Sequence, residues 1–344
     1  MAEQPTYTIA VTSNRYDLEW EAQALAALED MKIALRAGPC PTEDDLIALA
    51  HDADAVLISS REPITRRVVE HLPRCKVITR HAVGIDHIDL DAAAEHGIVV
   101  SHVPDYCTAE VADHAMALIL ALNRRIVAFD QDMRRGAWRE HRSRMDLILR
   151  GPIPPLREQT LGLVGIGRIG IAVAERARPF GLSIIAADPY LAPAEVRKRG
   201  AEPVSLDELL DRADIVSLHC PLTPETRGLI GEREFSIMKP TAFLVNTARG
   251  PIVNMEAVTE ALQSGRIAGA ALDVVDPEPL PADSPLNELD NVILTPHAAY
   301  YSERSVEVVR TEALKETLRV LRGRRPRIVA NPAVLQRVDL APFA

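Results

Sequence analysis

Cysteine is scarce in this chain. Four residues, Cys40, Cys75, Cys107 and Cys220, are spread over 344 positions without a C-x-x-C pair. That spacing argues against a disulfide framework and against a thiolate zinc site, and no metal is expected. It suits a reducing compartment. Aromatic residues make up only 4%, so the cores must be built from Leu, Ile, Val and Ala. There is no cationic excess either. Against 49 acidic residues stand 39 Lys and Arg, a net charge of −10, whereas nucleic-acid binding needs clustered basic side chains to neutralise phosphates. The one basic run, Arg322–Arg327, reads as a solvated helix end. Long apolar runs are missing too. The longest, Ala115–Leu122, is too short to span a bilayer. Met1–Pro5 is a polar start without a secretion-signal pattern. The expectation is a cytoplasmic protein with neither membrane nor nucleic-acid partners.

The length suits two domains. Short β-rich runs, TIAVT (Thr8–Thr12), KIAL (Lys32–Leu35), AVLIS (Ala55–Ser59), KVITR (Lys76–Arg80) and GIVV (Gly97–Val100), alternate with helical stretches such as Glu43–His51 and Asp89–His96. Strand–helix alternation implies a parallel sheet with right-handed crossovers. Thr108–Arg125 breaks the pattern with a long segment that is apolar on most faces, Thr108 being its candidate N-cap. Such a helix must be buried on several sides, and packing against another subunit is one way to achieve that. Arg142–Gln159, with Pro152, Pro154 and Pro155, reads as an irregular crossing. A second series follows: Thr160–Val164, Ser183–Ala187, Ile215–Leu218, Ala242–Val245, Gly269–Leu272 and Val292–Leu294. The helix Ser302–Leu321 then crosses back to the first domain. The expected architecture is α/β, with two doubly wound parallel-sheet domains. The larger, over 105–298, carries that apolar helix. The smaller is discontinuous, over 1–104 and 299–335.

LGLVGIGRIG (Leu161–Gly170) places Gly165, Gly167 and Gly170 as G-x-G-x-x-G between a strand and a helix. The first glycine permits a tight turn, the second lets backbone approach a pyrophosphate, and the third lets helix pack on strand. The phosphates would then meet the positive end of the helix. Asp188 follows the next strand. A carboxylate there accepts from the adenosine ribose hydroxyls and repels a 2′-phosphate, so NAD is favoured over NADP. As a bare dipeptide, Asp188-Pro189 would only start a turn. Three further strands end in NTARG (Asn246–Gly250), DVVDPEP (Asp273–Pro279) and TPH (Thr295–His297). In open α/β sheets ligands lie beyond the carboxyl ends of the strands. Arg249, Glu278 and His297 form a set with chemical sense: a histidine to protonate an alkoxide, a carboxylate to orient it and favour its donor form, and a guanidinium fork to hold a carboxylate. Taken singly, they read equally well as a surface ion pair and a loop histidine.

In order along nearly the whole chain, GIGRIG, Asp188, HCPLT (His219–Thr223), NTARG, DVVDPEP and TPH resemble the signatures of D-isomer-specific 2-hydroxyacid dehydrogenases. VPDYCTAEVADHA (Val103–Ala115), RRGAW (Arg134–Trp138), DPYL and TPHAAYYSE are similar to one branch, the C-terminal-binding proteins and their bacterial relatives. The resemblance implies an NAD-dependent oxidoreductase that interconverts a 2-oxo acid and a D-2-hydroxy acid. It implies His297 as acid/base, Glu278 as its partner and Arg249 as substrate anchor. Cofactor contacts are expected at Thr108, Gly165, Gly167, Arg168, Ile169, Gly170, Asp188, His219, Cys220, Pro221, Thr226, Thr247, Ala248 and Asp273, the last near the nicotinamide carboxamide. RHAVGID (Arg80–Asp86) matches the family's substrate loop, so backbone at Val83 and Gly84 would meet the substrate carboxylate, with Arg80 as a further anchor. Tyr300 would face the substrate side chain, where eukaryotic C-terminal-binding proteins carry tryptophan. His81, Ala82 and Val111 depart from relatives. A homodimer through the helix Thr108–Arg125 is also implied, as are a Rossmann NAD-binding domain over 105–298 and a smaller flavodoxin-like substrate domain over 1–104 and 299–335. Among the other histidines, His114 reads as a packed core or interface residue, and His81 and His87 flank the substrate loop. Two other uses stay open: an NAD(H)-sensing scaffold like the corepressors, and oxidation of phosphite or a phosphorylated acid.

Overall fold

β-Branched runs bounded by turn residues become the strands. The computed structural model describes residues 6–12, 18–59, 62–140 and 153–343; most of the expected crossing Arg142–Gln159 lies outside them. The chain divides into two units, Met1–Tyr106 with Ser302–Ala344, and Cys107–Tyr301. The expected boundary at 298/299 differs, because residues 299–301 go with the second unit. The first unit holds β1 (Thr6–Val11), β2 (Lys32–Ala37), β3 (Ala55–Ile58), β4 (Val77–Arg80) and β5 (Val99–His102). They form a parallel sheet of order β2-β1-β3-β4-β5, the flavodoxin-like order. The second holds β6 (Thr160–Val164), β7 (Ser183–Ala187), β8 (Glu202–Pro203), β9 (Ile215–Leu218), β10 (Phe243–Asn246), β11 (Gly269–Leu272) and β12 (Val292–Leu294). Their order, β12-β11-β10-β9-β6-β7-β8, is the Rossmann order extended by one strand. The edge strand β8 is absent from the sequence reading: two residues are too few to show a period, and its proline is tolerated only at an edge.

Both faces of each sheet are covered, as the continuous apolar strands require. In the first unit Ile9, Val11, Leu57 and Val77 join one core, and their neighbours Ala10, Val56, Ile58 and Ile78 join the other. The second sheet repeats the split, with Val164, Val216 and Leu244 on one face and Leu163, Ile215 and Val245 on the other. The two sheets share a further device. The Asp54 carboxylate, just before β3, accepts from Thr8 N in β1 at 2.8 Å. The Asp214 carboxylate, just before β9, accepts from Thr160 N in β6 at 2.8 Å. Each aspartate ties together the pair of strands at which its sheet reverses order.

The helix Glu303–Leu321 starts on a Ser302 cap that accepts from Ser305 N. It lays Val309, Ala313, Leu314 and Leu318 on the first sheet's core, and Thr317 Oγ1 donates to Thr79 Oγ1 at 2.8 Å. The helix Thr108–Asn123 differs from its expectation in two respects. Cys107 occupies the cap position without a side-chain capping bond, so Thr108 is the first helical residue. Its apolar face is buried inside the second unit: Ala112, Ala115, Met116 and Ile119 pack with Ala172, Val173 and Ala271. Another subunit is not needed to cover them. The exposed apolar side chains come later, at Ile126, Met133 and Trp138, the last 55% exposed. Among the described residues no helix is long and apolar enough to cross a membrane, and no cluster of His, Cys, Asp and Glu is arranged to hold a metal. The four cysteines are free thiols.

His81 follows β4 and is 5% exposed. Burial, then the charges of Arg80 and Arg310, push its imidazole down to about 3. The unfolded chain takes up that proton near pH 6.5, and the folded chain takes it up only near pH 3. Between those values the unfolded state binds more protons, so stability falls as pH falls. Denaturant midpoints from pH 7 to pH 4 should decline less steeply in His81→Asn than in wild type, by up to ~1.4 kcal/mol per pH unit. Equal slopes would sink this assignment.

Candidate active site

The second sheet reverses order between β6 and β9, and the glycine loop lies at the carboxyl end of that pair. Gly165 has φ +87°, and a Cβ there would fall 2.9 Å from Cys220 N, the backbone leaving β9. A Cβ on Gly170 would fall 2.5 Å from Gly165 O, so the third glycine lets the helix Arg168–Ala177 start against its own loop. A Cβ on Gly167 would meet nothing within 4 Å, which leaves that side open for a ligand. Asp188, at the end of β7, accepts from Ile166 N at 3.1 Å and Tyr190 N at 3.2 Å, so its carboxylate is fixed relative to the glycine loop. Beyond β9, Thr226 Oγ1 donates to Pro221 O at 2.7 Å and accepts from Thr223 N at 2.7 Å, closing the 221–226 loop. Thr247 is 8% exposed and its Oγ1 has no partner among the described residues. An open glycine cradle, an anchored acid and an orphaned hydroxyl fit a dinucleotide. His219 is half-buried and shares a 2.9 Å hydrogen bond with Ser217 Oγ; burial pushes its imidazole down to about 4, so it stays neutral. Burial likewise pushes the Cys220 thiol up to about 11.

β10, β11 and β12 deliver the polar set. Asn246 closes the NTARG loop, donating to Arg249 O at 2.9 Å and accepting from Ala248 N at 3.0 Å. Arg249 Nη1 donates to Ala248 O at 2.8 Å. A Cβ on Gly250 would collide with Val275 O and C, so the loop bearing Arg249 lies directly against the loop bearing Glu278. His297 Nδ1 is 2.6 Å from Glu278 Oε1. Both side chains are about a third exposed, at 31% and 27%. The Tyr300 ring stands edge-on to the His297 ring, with centroids 6.3 Å apart. Tyr301 is exposed.

His297 has φ +52°, a conformation that costs a non-glycine residue about 1–3 kcal/mol and persists only where its surroundings enforce it. The enforcing group is Asp273. Its carboxylate, fully buried, accepts from Thr295 Oγ1 at 2.6 Å, Ala298 N at 2.9 Å and Ala299 N at 3.0 Å. Its carbonyl accepts from His297 N at 2.8 Å. Thr295 is also 3.1 Å from His114 Nε2. Neither Thr295 nor His114 was singled out as functional from the sequence. His114 is half-buried on its helix rather than a core residue, and one-dimensional spacing carries no sign of a contact across 181 positions.

The family model for the NAD-binding domain of D-isomer-specific 2-hydroxyacid dehydrogenases matches residues 116–299. The chain belongs to that family. The dehydrogenase is 41% identical over 297 residues to a glyoxylate reductase of Thermofilum pendens, covering 86% of each chain. It is 41% identical over 291 residues to a D-3-phosphoglycerate dehydrogenase of Methanocaldococcus jannaschii, covering 84% of this chain and 54% of that relative. The fold is similar to a D-lactate dehydrogenase of Aquifex aeolicus complexed with NAD and lactic acid: TM-score 0.78, 29% identity, covering 98% of this chain and 100% of the other. The dehydrogenase is thus an NAD-dependent oxidoreductase of 2-hydroxy acids, and a scaffold with little catalytic role is not favoured. These matches reach the family rather than a branch within it.

In the dehydrogenase's first unit, the RHAVGID stretch follows β4. Arg80 is 7% exposed and its Nη1 donates to Ile58 O at 3.3 Å. His102 Nδ1 lies 2.8 Å from Val83 O, which orients that peptide beside Gly84. His81 N donates to Ile58 O at 2.8 Å, and its ring is buried.

Gly170→Ala should weaken NADH binding by roughly tenfold or more, since the added methyl must displace backbone in the phosphate loop. NADH fluorescence titration measures it, and wild-type affinity would contradict the role given to this glycine.

Proposed function

We propose that the dehydrogenase reduces a small 2-oxo acid to its D-2-hydroxy acid, with His297 as the acid. The observation that carries this is the 2.6 Å His297 Nδ1–Glu278 Oε1 hydrogen bond. Nδ1–H donates to the carboxylate, so Nε2 is the nitrogen left to exchange a proton with substrate. NADH, when bound, supplies hydride to C2 of the ketone. His297 Nε2–H donates its proton to the C2 oxygen, leaving a neutral imidazole; in the reverse direction Nε2 takes that proton back. Glu278 holds the ring and stabilises the imidazolium. The Arg249 fork binds the substrate carboxylate. Tyr300, edge-on to His297, lines the substrate side-chain pocket.

The cofactor contacts on this reading are Gly165, Gly167, Arg168, Ile169 and Gly170 at the phosphates, Asp188 at the ribose, and Thr108, His219, Cys220, Pro221, Thr226, Thr247, Ala248 and Asp273 along the remainder. The cofactor contacts all lie in the second unit, as do Arg249, Glu278, His297 and Tyr300. The dehydrogenase works as a cytoplasmic homodimer, in keeping with its free thiols and with apolar Ile126, Val127, Met133 and Trp138 left exposed after the helix Thr108–Asn123.

NADH oxidation with glyoxylate, pyruvate and a phosphorylated 2-oxo acid tests the chemistry. His297→Ala should lose roughly 10²–10⁴-fold in kcat, and Glu278→Gln should lose less. Arg249→Lys should raise KM by about tenfold or more, because an ammonium cannot reproduce the fork. A His297→Ala variant as fast as wild type on every acid would refute the assignment. Sedimentation showing only monomer would overturn the dimer.

A further inference from the structure

We infer that His114 is a positioning residue for His297, acting through Thr295 and Asp273; this rests on the acid role proposed for His297. His114 lies on the helix Thr108–Asn123 with a quarter of its side chain exposed, and its Nε2 is 3.1 Å from Thr295 Oγ1 and 3.5 Å from Asp273 Oδ1. Thr295 Oγ1 spends its one proton on Asp273 Oδ1 at 2.6 Å. It therefore accepts from His114, which assigns the Nε2–H tautomer to that ring. The charged group facing His114 from the sheet is Asp273. On its own helix the neighbouring Asp113 is engaged by Arg176 of the helix Arg168–Ala177 at 2.5 Å.

The chain of contacts ends at the reacting histidine. Asp273 grips the loop on both sides of His297, at Thr295 before it and at Ala298 and Ala299 after it, and holds His297 N through its carbonyl. Thr295 can rotate; the N–H from His114 fixes its hydroxyl toward Asp273. Without that donor the hydroxyl has alternative rotamers, one of the carboxylate's three donors becomes intermittent, and the loop can relax from the positive φ at His297. The ring then leaves the Glu278 carboxylate, 2.6 Å away. Neither His114 nor Thr295 is among the proposed substrate or cofactor contacts, so the effect should fall on the proton-transfer geometry rather than on binding.

The test uses the full-length enzyme with NADH and its best 2-oxo acid, reading kcat, KM, NADH affinity and the pH profile for His114→Ala, His114→Gln, Thr295→Val and the double variant His114→Ala/Thr295→Val. His114→Ala should lower kcat roughly tenfold to a hundredfold, leave NADH affinity unchanged, and displace the alkaline limb of the reduction profile, because the contact between His297 and Glu278 is loosened. His114→Gln retains an N–H donor and should recover most of both effects. The double variant should be no worse than the more damaged single, since both break one chain. A wild-type pH limb in His114→Ala overturns the inference, as does a loss that glutamine does not recover. If His114→Ala fails to fold, the pH limb of Thr295→Val decides: displaced supports the chain, unmoved overturns it. Failure of the acid assignment is separate, since it shows as full activity in His297→Ala.

Discussion

A carboxylate removed from water must be met by enough donors to replace its hydration. Asp273 satisfies that condition with groups drawn from one short loop, Thr295, Ala298 and Ala299. The shape of that loop is therefore dictated by a charge that cannot be left unsatisfied. His297 sits between the donors and adopts a left-handed backbone conformation that no local preference would choose. Its ring meets Glu278 as a result. The His297–Glu278 geometry is in this sense a by-product of solvating one buried aspartate with peptide.

The same economy recurs elsewhere. Asp54 and Asp214 each accept a backbone N–H from the neighbouring strand at the point where a sheet reverses order. Asp188 uses its carboxylate on Ile166 N and Tyr190 N, so the acid beside the phosphate loop is held by that loop's own backbone. Glycine supplies the complementary constraint where two backbones must touch: Gly165 against Cys220, Gly170 against Gly165, Gly250 against Val275. Side chains at those positions would push apart the loops that bring the reactive groups together.

Much of this was legible in one dimension, for identifiable reasons. The apolar runs that became strands were short, β-branched and regularly interrupted, and burial on both faces left them continuous rather than alternating. The glycine triplet sits between such a run and a helix, and the polar ends of β10, β11 and β12 are adjacent to their strands in sequence. The reading fell short where the deciding contact was remote. The apolarity of Thr108–Arg125 was visible, but its neighbour, the helix Arg168–Ala177, was not. His114 passed for a packed side chain because Thr295 lies 181 residues away. Thr108 looked like a cap, but the helix takes Cys107 at that position, without a side-chain capping bond.

The sequence by itself determined the parallel α/β class and the glycine cradle for a dinucleotide, and it brought forward Arg249, Glu278 and His297 as candidates, because each depends on residue type within a few positions of a strand end. Only the tertiary structure decided which histidine nitrogen meets Glu278, why the His297 backbone is left-handed, and that His114 and Thr295 belong to the same network. Those are matters of orientation between segments that are far apart in the chain. They are fixed by the requirement that buried charge and buried N–H groups find one another, a condition that exists only after the chain has folded.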